Sequence, residues 1–503
     1  MTAELDALAR AFAEGRRADA QALFAEAHER HKADPDGLLA LAAIVEEAGL
    51  GDLALRTALA ARSLAFERAD LHRRVGDLCR AQGRLVEADD AYRAALVRGD
   101  GGAARAIAEI ATGTVDMTGL GPVGFTLSPG VASLARPGAA RRALVSFYRA
   151  PVLLPDDHPA LGFQSAYLDT REVCRILLGR GFDLDVVDIG SDAAPPGAAY
   201  DLVFGVHDDL VRHRDRAAAG ALRVQWMTGR HPAVQNAAEA ARIAALLARR
   251  GGAYEPKRRI EGVEAELEAI RLADRGILIG NRATLATYPE EWRAKISLIP
   301  VCAGRILAPK PRHRLVPAER EFLWLNSFGA VLKGLDLAIE AVLADERLVL
   351  NIVGLVDQEA DFAALYPDAL GGHPRIRRHG YLATDSQRFQ AVADRCAAFL
   401  LPSASEGMSG SAATCLQLGL YPIVSRESGI DLPAGSGRYL ETCSIAEIGQ
   451  AMAEVRAMPL ASLESAIATC QRQALALYSR TATTRRLDGI FRELLGEARA
   501  RPL

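Results

Sequence analysis

The stretch SEGMSGSAATCLQLGLYPIVSRESG, residues 405–429, decides how this chain is read. An apolar run at 399–401 precedes it, ends at Pro402 and has the character of a buried strand. Two glycines and three serines lead into a helical pattern, and 421–425 reads as a second strand. A Gly/Ser-rich turn that opens a helix after a parallel strand is an anion cradle. Its backbone N–H groups point outward at the helix start, where the dipole favours negative charge. Ser409, Gly410 and Ser411 form that turn. Glu406 stands at its rim, where a carboxylate accepts hydrogen bonds from sugar hydroxyls.

Outward from this stretch, short apolar runs alternate with helical patterns. Strands are expected at 143–148, 184–189, 202–207, 222–227, 276–280 and 296–301. A Pro- and Arg-rich segment at 305–320 reads as a hinge. A second series follows at 322–328, 347–354, 375–382, 397–401 and 421–425, and 460–495 is helical. Such alternation predicts parallel sheets covered by helices on both faces, with ligands beyond the carboxyl ends of the strands.

The first hundred residues follow a different rule. Gly15, Gly49 and Gly83 are 34 residues apart, and so are Ala20, Ala54 and Ala88. Ala27, Ala61 and Ala95 keep the period, as do Phe24, Ala58 and Tyr92. Glycine lets the chain turn between antiparallel helices, and the alanines mark close helix contacts. Three helical hairpins are expected, and the period resembles the tetratricopeptide repeat. Residues 111–140, rich in Gly, Pro and Thr, read as a linker.

The 405–429 stretch resembles the nucleotide-sugar motif of family-4-like glycosyltransferases of the GT-B fold, E-G-F-G-x-x-x-x-E-A-x-x-x-G. Glu406, Gly407, Gly410 and Gly419 fall on or near that pattern, while Thr414 stands where the family has a second glutamate. The fold class implied is α/β with N-terminal all-α repeats, the repeats preceding a GT-B unit of two Rossmann-like domains. The expected divisions are 1–110 for the repeats, 111–140 for the linker, 141–308 for the acceptor side and 309–503 for the donor side. In layout the chain is similar to repeat-bearing protein glycosyltransferases, among them O-linked N-acetylglucosamine transferases and bacterial flagellin glycosyltransferases.

Lys333 lies in FGAVLKGLDLAIEA, beside a helix start after the first strand of the second series. A point cation there stabilises a leaving diphosphate in place of a metal. The family pattern adds an arginine five residues earlier, a position held here by Phe328. The resemblance makes Tyr381 and Leu382 contacts to the nucleotide base, and the threonine at 414 bears on ribose binding. His207 ends a strand in VFGVHDD, where a family histidine often lies. Thr228, Gly229 and His231 in WMTGRHP, and Asn281 after GILIG, are acceptor-side candidates.

What this implies is transfer of a sugar from a nucleotide-sugar donor to an acceptor, a protein held by the repeats, with retention and without a metal. The nucleotide sugar is a substrate, and no cofactor is implied. An inverting transferase using a cytidine-monophosphate-linked acidic sugar is the alternative that would need His207 or Asp208 as base. A degenerate GT-B scaffold that recruits partners through its repeats is the alternative of another class.

Composition narrows the partners. The net charge is −3, which offers no field for nucleic acid. No apolar run reaches the roughly 18 residues of a membrane span. The basic run ARRGGAYEPKRR at 248–259 has the character of a solvated helix end and leaves peripheral contact with an anionic surface open. Seven scattered cysteines without ligand spacing fit reduced thiols in a cytoplasm. No Ser-His-Asp order, HExxH or Walker loop occurs.

Overall fold

A computed structural model of the chain describes residues 3–162, 165–197, 199–307, 316 and 319–496. Most of the expected hinge at 305–320, including the expected division at 308/309, lies outside the described residues. The chain forms two compact units, Met1–Leu161 with Val173–Asp201, and Gly162–Glu172 with Leu202–Leu503. These are not the four divisions read from the sequence.

The first unit opens with α1 (Ala3–Ala13), α2 (Arg17–His31), α3 (Pro35–Glu47), α4 (Gly51–Leu64), α5 (Ala69–Ala81), α6 (Leu85–Val97) and α7 (Ala103–Ile110). The helices pair into hairpins. Gly15, Gly49 and Gly83 sit in their turns at φ +69°, +75° and +70°, a region that costs any residue with a Cβ. Ala20, Ala54, Ala88, Ala27, Ala61 and Ala95 are fully buried where the helices meet. The 34-residue period therefore describes real helical hairpins.

Residues 111–140 are not a plain linker. They fold into β1 (Thr112–Met117), β2 (Gly121–Ser128) and β3 (Val131–Ala135), paired antiparallel in sequence. Val115, Met117, Val123, Phe125 and Leu127 alternate inward, which is the strand period. The glycines that suggested a linker are turn residues, with Gly119, Gly121 and Gly130 all at positive φ. β3 pairs antiparallel with β5 (Phe182–Asp188), which runs parallel to β4 (Arg141–Phe147). Buried Arg149, just after β4, binds Asp90 of α6 and Asp188 of β5, each at 2.8 Å. Helices and strands thus share one compact body.

The second unit holds β6 (Tyr200–Val206) from Leu202 on, then β7 (Ala217–Met227), β8 (Arg275–Ile279) and β9 (Ile296–Ile299) in that order. It also holds a six-stranded parallel sheet. Its strands are β10 (Glu321–Asn326), β11 (Leu350–Gly354), β12 (Ile376–Arg378), β13 (Cys396–Leu401), β14 (Tyr421–Ser425) and β15 (Arg438–Leu440), ordered β12-β11-β10-β13-β14-β15. Phe322, Trp324, Leu350, Ile352, Leu400 and Ile423 fill its core, each worth about 1.5–3 kcal/mol of burial. Ile243 and Leu246 of the helix Pro232–Arg250, with Tyr254 beyond it, pack into the same core. The chain leaves β10 toward β11 and β12, then crosses back to β13 on the other side. The strand order therefore reverses between β10 and β13, which sets their carboxyl ends together at a switch point.

Candidate functional site

The switch point brings together residues far apart in sequence. Asn326 ends β10, and Lys333 follows one turn before the helix Leu335–Ala344. Glu406 follows β13 and precedes the helix Gly410–Gln417. Lys333 Nζ lies 3.1 Å from Glu406 Oε1 and donates to Asn326 Oδ1 at 3.2 Å. Ser403 Oγ donates to the same Glu406 oxygen at 3.3 Å. Asn326 Nδ2 and Ser405 Oγ are buried and find no hydrogen-bond partner among the described residues. Gly334 permits the approach: its φ is +71°, and a Cβ there would meet Pro402 O at 2.5 Å.

The helix Gly410–Gln417 is capped by Ser409, whose Oγ accepts from Ala412 N at 3.3 Å. Ser409 N donates to Ser428 O at 3.1 Å. Gly410 and Ser411, both half-buried, then open the helix, and the first N–H groups of a helix have no partner within it. Thr414 is buried, and its hydroxyl is already engaged. It accepts from Gly304 N at 2.9 Å and donates to Gly410 O at 2.8 Å. Both bonds tie the side chain to this protein's own backbone.

Gly407 explains how β7 and β8 join this site. A Cβ there would collide with Thr228 O and stand 2.6 Å from Ile279 O, at the carboxyl ends of those strands. Thr284 Oγ1 donates to Gly407 O at 2.7 Å, closing the contact. Two sets of strand ends therefore face each other across Gly407.

No protein-family model matches the chain, and no curated protein matches it. Among solved structures it is similar to the sucrose-phosphate synthase of Thermosynechococcus elongatus. The TM-score is 0.51 at 14% identity, over 71% of this chain and 99% of that one. It is more distantly similar to Anabaena HepE, solved with UDP and glucose, at TM-score 0.46 and 11% identity over 70% and 100% of the chains. The O-GlcNAc transferase of Thermobaculum terrenum aligns over 98% of both chains at TM-score 0.36 and 14% identity.

The fold is of the GT-B type. The remaining candidates take definite places in it. Tyr381 is exposed and Leu382 buried, in the segment after β12 where Gly380 O accepts from Gly354 N at 3.0 Å. Thr228 is exposed and Gly229 half-buried at the end of β7. His231 stands at the N-cap position of the helix Pro232–Arg250, without a capping bond from its side chain, and lies against Tyr288 and Trp292; burial lowers its pKa. Asn281 is a fastening residue: its Oδ1 accepts from Thr284 N at 3.0 Å and its Nδ2 donates to Asp431 at 2.8 Å.

His207 adopts φ +51°, a conformation uncommon outside glycine, and sits 3.3 Å from Glu266. A hydrogen bond to Glu266 raises its pKa. Asp208 is paired with Arg212 at 3.0 Å.

Several residues of the site were missed in the sequence. Glu359 accepts from Gly329 N at 2.7 Å and Ala330 N at 3.2 Å, and takes the hydroxyl of Tyr254 at 2.7 Å. Its carboxylate fills the amide pocket of the loop between β10 and Lys333. Arg242 donates to Pro402 O at 2.9 Å. Only Asn326 had a visible signal, as a polar residue closing the apolar run FLWL.

Proposed function

We propose that this chain is a glycosyltransferase that moves a sugar from a nucleotide-sugar donor to an acceptor, with retention and without a metal. The observation that carries the reading is the Lys333–Glu406 pair at a switch point, beside the open start of the helix Gly410–Gln417. The donor diphosphate would lie against Gly410 N, Ser411 N and the Lys333 ammonium, which stabilise charge on the leaving group. Glu406 would turn from Lys333 to the sugar hydroxyls, and Tyr381 would lie on the base. Stabilisation of the leaving group and positioning then supply most of the rate.

An acceptor would approach Gly407 from the side of Thr228, Gly229 and His231. His207 is held by Glu266 and Asp208 by Arg212, so both candidate bases are already engaged within the chain. This supports retention over the inverting alternative. The helical repeats, read as of the tetratricopeptide kind, would hold a protein acceptor. They carry an open groove of about 690 Å³ lined by Leu39, Ala43, Asp70, Arg73, Asp77 and Asp100. In this scheme residues 1–110 recruit, 141–308 serve the acceptor and 309–503 serve the donor.

The engaged Thr414 hydroxyl favours one rival, a scaffold that no longer turns over a donor. Nucleotide release from a panel of nucleotide sugars, with EDTA present, separates the two. Turnover of one donor supports the transferase; no release from any donor, with intact folding, supports the scaffold.

A further inference from the structure

The donor site as described is short of positive charge. The Lys333 ammonium is balanced by Glu406, and the amides of Gly329 and Ala330 are taken by Glu359. The diphosphate of a nucleotide sugar carries two negative charges. One cation already in an ion pair and one helix start meet them incompletely.

A second cation stands next to the same loop. The Arg258 side chain lies over Gly329: a Cβ added at Gly329 would stand 2.5 Å from Arg258 Cγ and 3.2 Å from its Cδ. Gly329 has φ +91° and no side chain, and both properties let the arginine stem lie flat on the loop. Lys333 N donates to Gly329 O at 3.0 Å, so a single turn separates that contact from the catalytic lysine.

The backbone that carries Arg258 is held in place. Its N–H donates to Glu239 Oε1 at 2.8 Å, and its carbonyl accepts from Gln235 Nε2 at 2.8 Å. The neighbouring N–H of Lys257 shares Glu239 at 2.9 Å, and the Lys257 ammonium binds Asp361 at 2.6 Å. Tyr254 is fixed to Glu359, the residue that holds the Gly329 and Ala330 amides. The 254–258 segment and the 327–334 loop are thus joined from both sides. The residue itself is exposed, and its guanidinium forms no hydrogen bond or ion pair among the described residues. Anchored backbone, a stem packed on glycine and an uncommitted guanidinium describe a cation kept for a ligand. The geometry assigns Arg258 as a second diphosphate-binding residue of the donor site. It comes from the segment after the helix Pro232–Arg250, not from the donor sheet.

This assignment rests on the donor site proposed above, and the test keeps the two apart. Inorganic pyrophosphate and UDP are titrated calorimetrically into wild type, Arg258→Ala, Arg258→Lys and Lys333→Ala, with thermal unfolding of each. Loss of a charged hydrogen bond corresponds to about ten-fold weaker binding in Arg258→Ala, at unchanged melting temperature. Arg258→Lys recovers part of it, and the salt dependence of binding is shallower in Arg258→Ala than in wild type. Wild-type affinity in Arg258→Ala, with binding lost in Lys333→Ala, overturns the role of Arg258 and leaves the donor site standing. Wild-type affinity in both variants overturns the donor site as well.

Discussion

Lys333 Nζ and Glu406 Oε1 lie 3.1 Å apart although 73 residues separate them in sequence. The reversal of strand order between β10 and β13 is what makes them neighbours. Both side chains are largely buried, and each balances the charge of the other.

Lys333→Ala and Glu406→Gln should therefore both lower turnover. Removal of a preorganised group that meets developing charge costs about 10²–10³ in kcat. Lys333→Ala also leaves Glu406 partly buried without its cation, so it should lose stability that the double variant Lys333→Ala/Glu406→Gln regains. Steady-state rates and thermal unfolding of the three variants check both parts.

Thr414→Val should act on stability rather than on affinity for the donor. The hydroxyl that accepts from Gly304 N and donates to Gly410 O disappears. Loss of an ordinary hydrogen bond costs about 0.5–1.5 kcal/mol. Denaturant unfolding reads the stability, and nucleotide titration should show little change in binding.

Glu266→Gln should lower the pKa of His207, read by NMR titration of the ring. The folded-state pKa lies above the unfolded one because Glu266 favours the cation. The stability this adds is fully present below the unfolded pKa and is lost as pH rises through the folded one. The difference in stability between wild type and variant should shrink over that interval.

Much of this is legible in the sequence. The 34-residue glycine period gave the hairpins, because a left-handed turn tolerates few other residues. Alternating apolar runs gave most strands of the parallel sheets. β1 to β3 were hidden because turn glycines outweighed their alternation, and β15 because it has three residues. Lys333 and Glu406 were legible as motif residues. Glu359 carries no local pattern, and Arg258 shows only as one of the basic residues at 248–259; each matters through Gly329, a contact that folding creates. Asn281 and Thr414 illustrate the converse, motif positions whose side chains fasten the chain to itself.

Asp169→Asn should flatten the pH dependence of stability. Burial pushes the Asp169 carboxyl up to about 7, and the charge of Glu172 adds to the effect. Its folded pKa is above the unfolded value of about 4, so ionisation opposes folding. Wild type should lose stability as pH rises from about 4 to 7, then level off. The variant should show less of this slope, measured by thermal melts across that range.

The most direct test of the account is calorimetric titration of UDP and other nucleoside diphosphates into wild type and Lys333→Ala. The account predicts saturable binding of at least one of them, lost or strongly weakened in Lys333→Ala and retained in His207→Ala. Binding of equal strength in wild type and Lys333→Ala would contradict it.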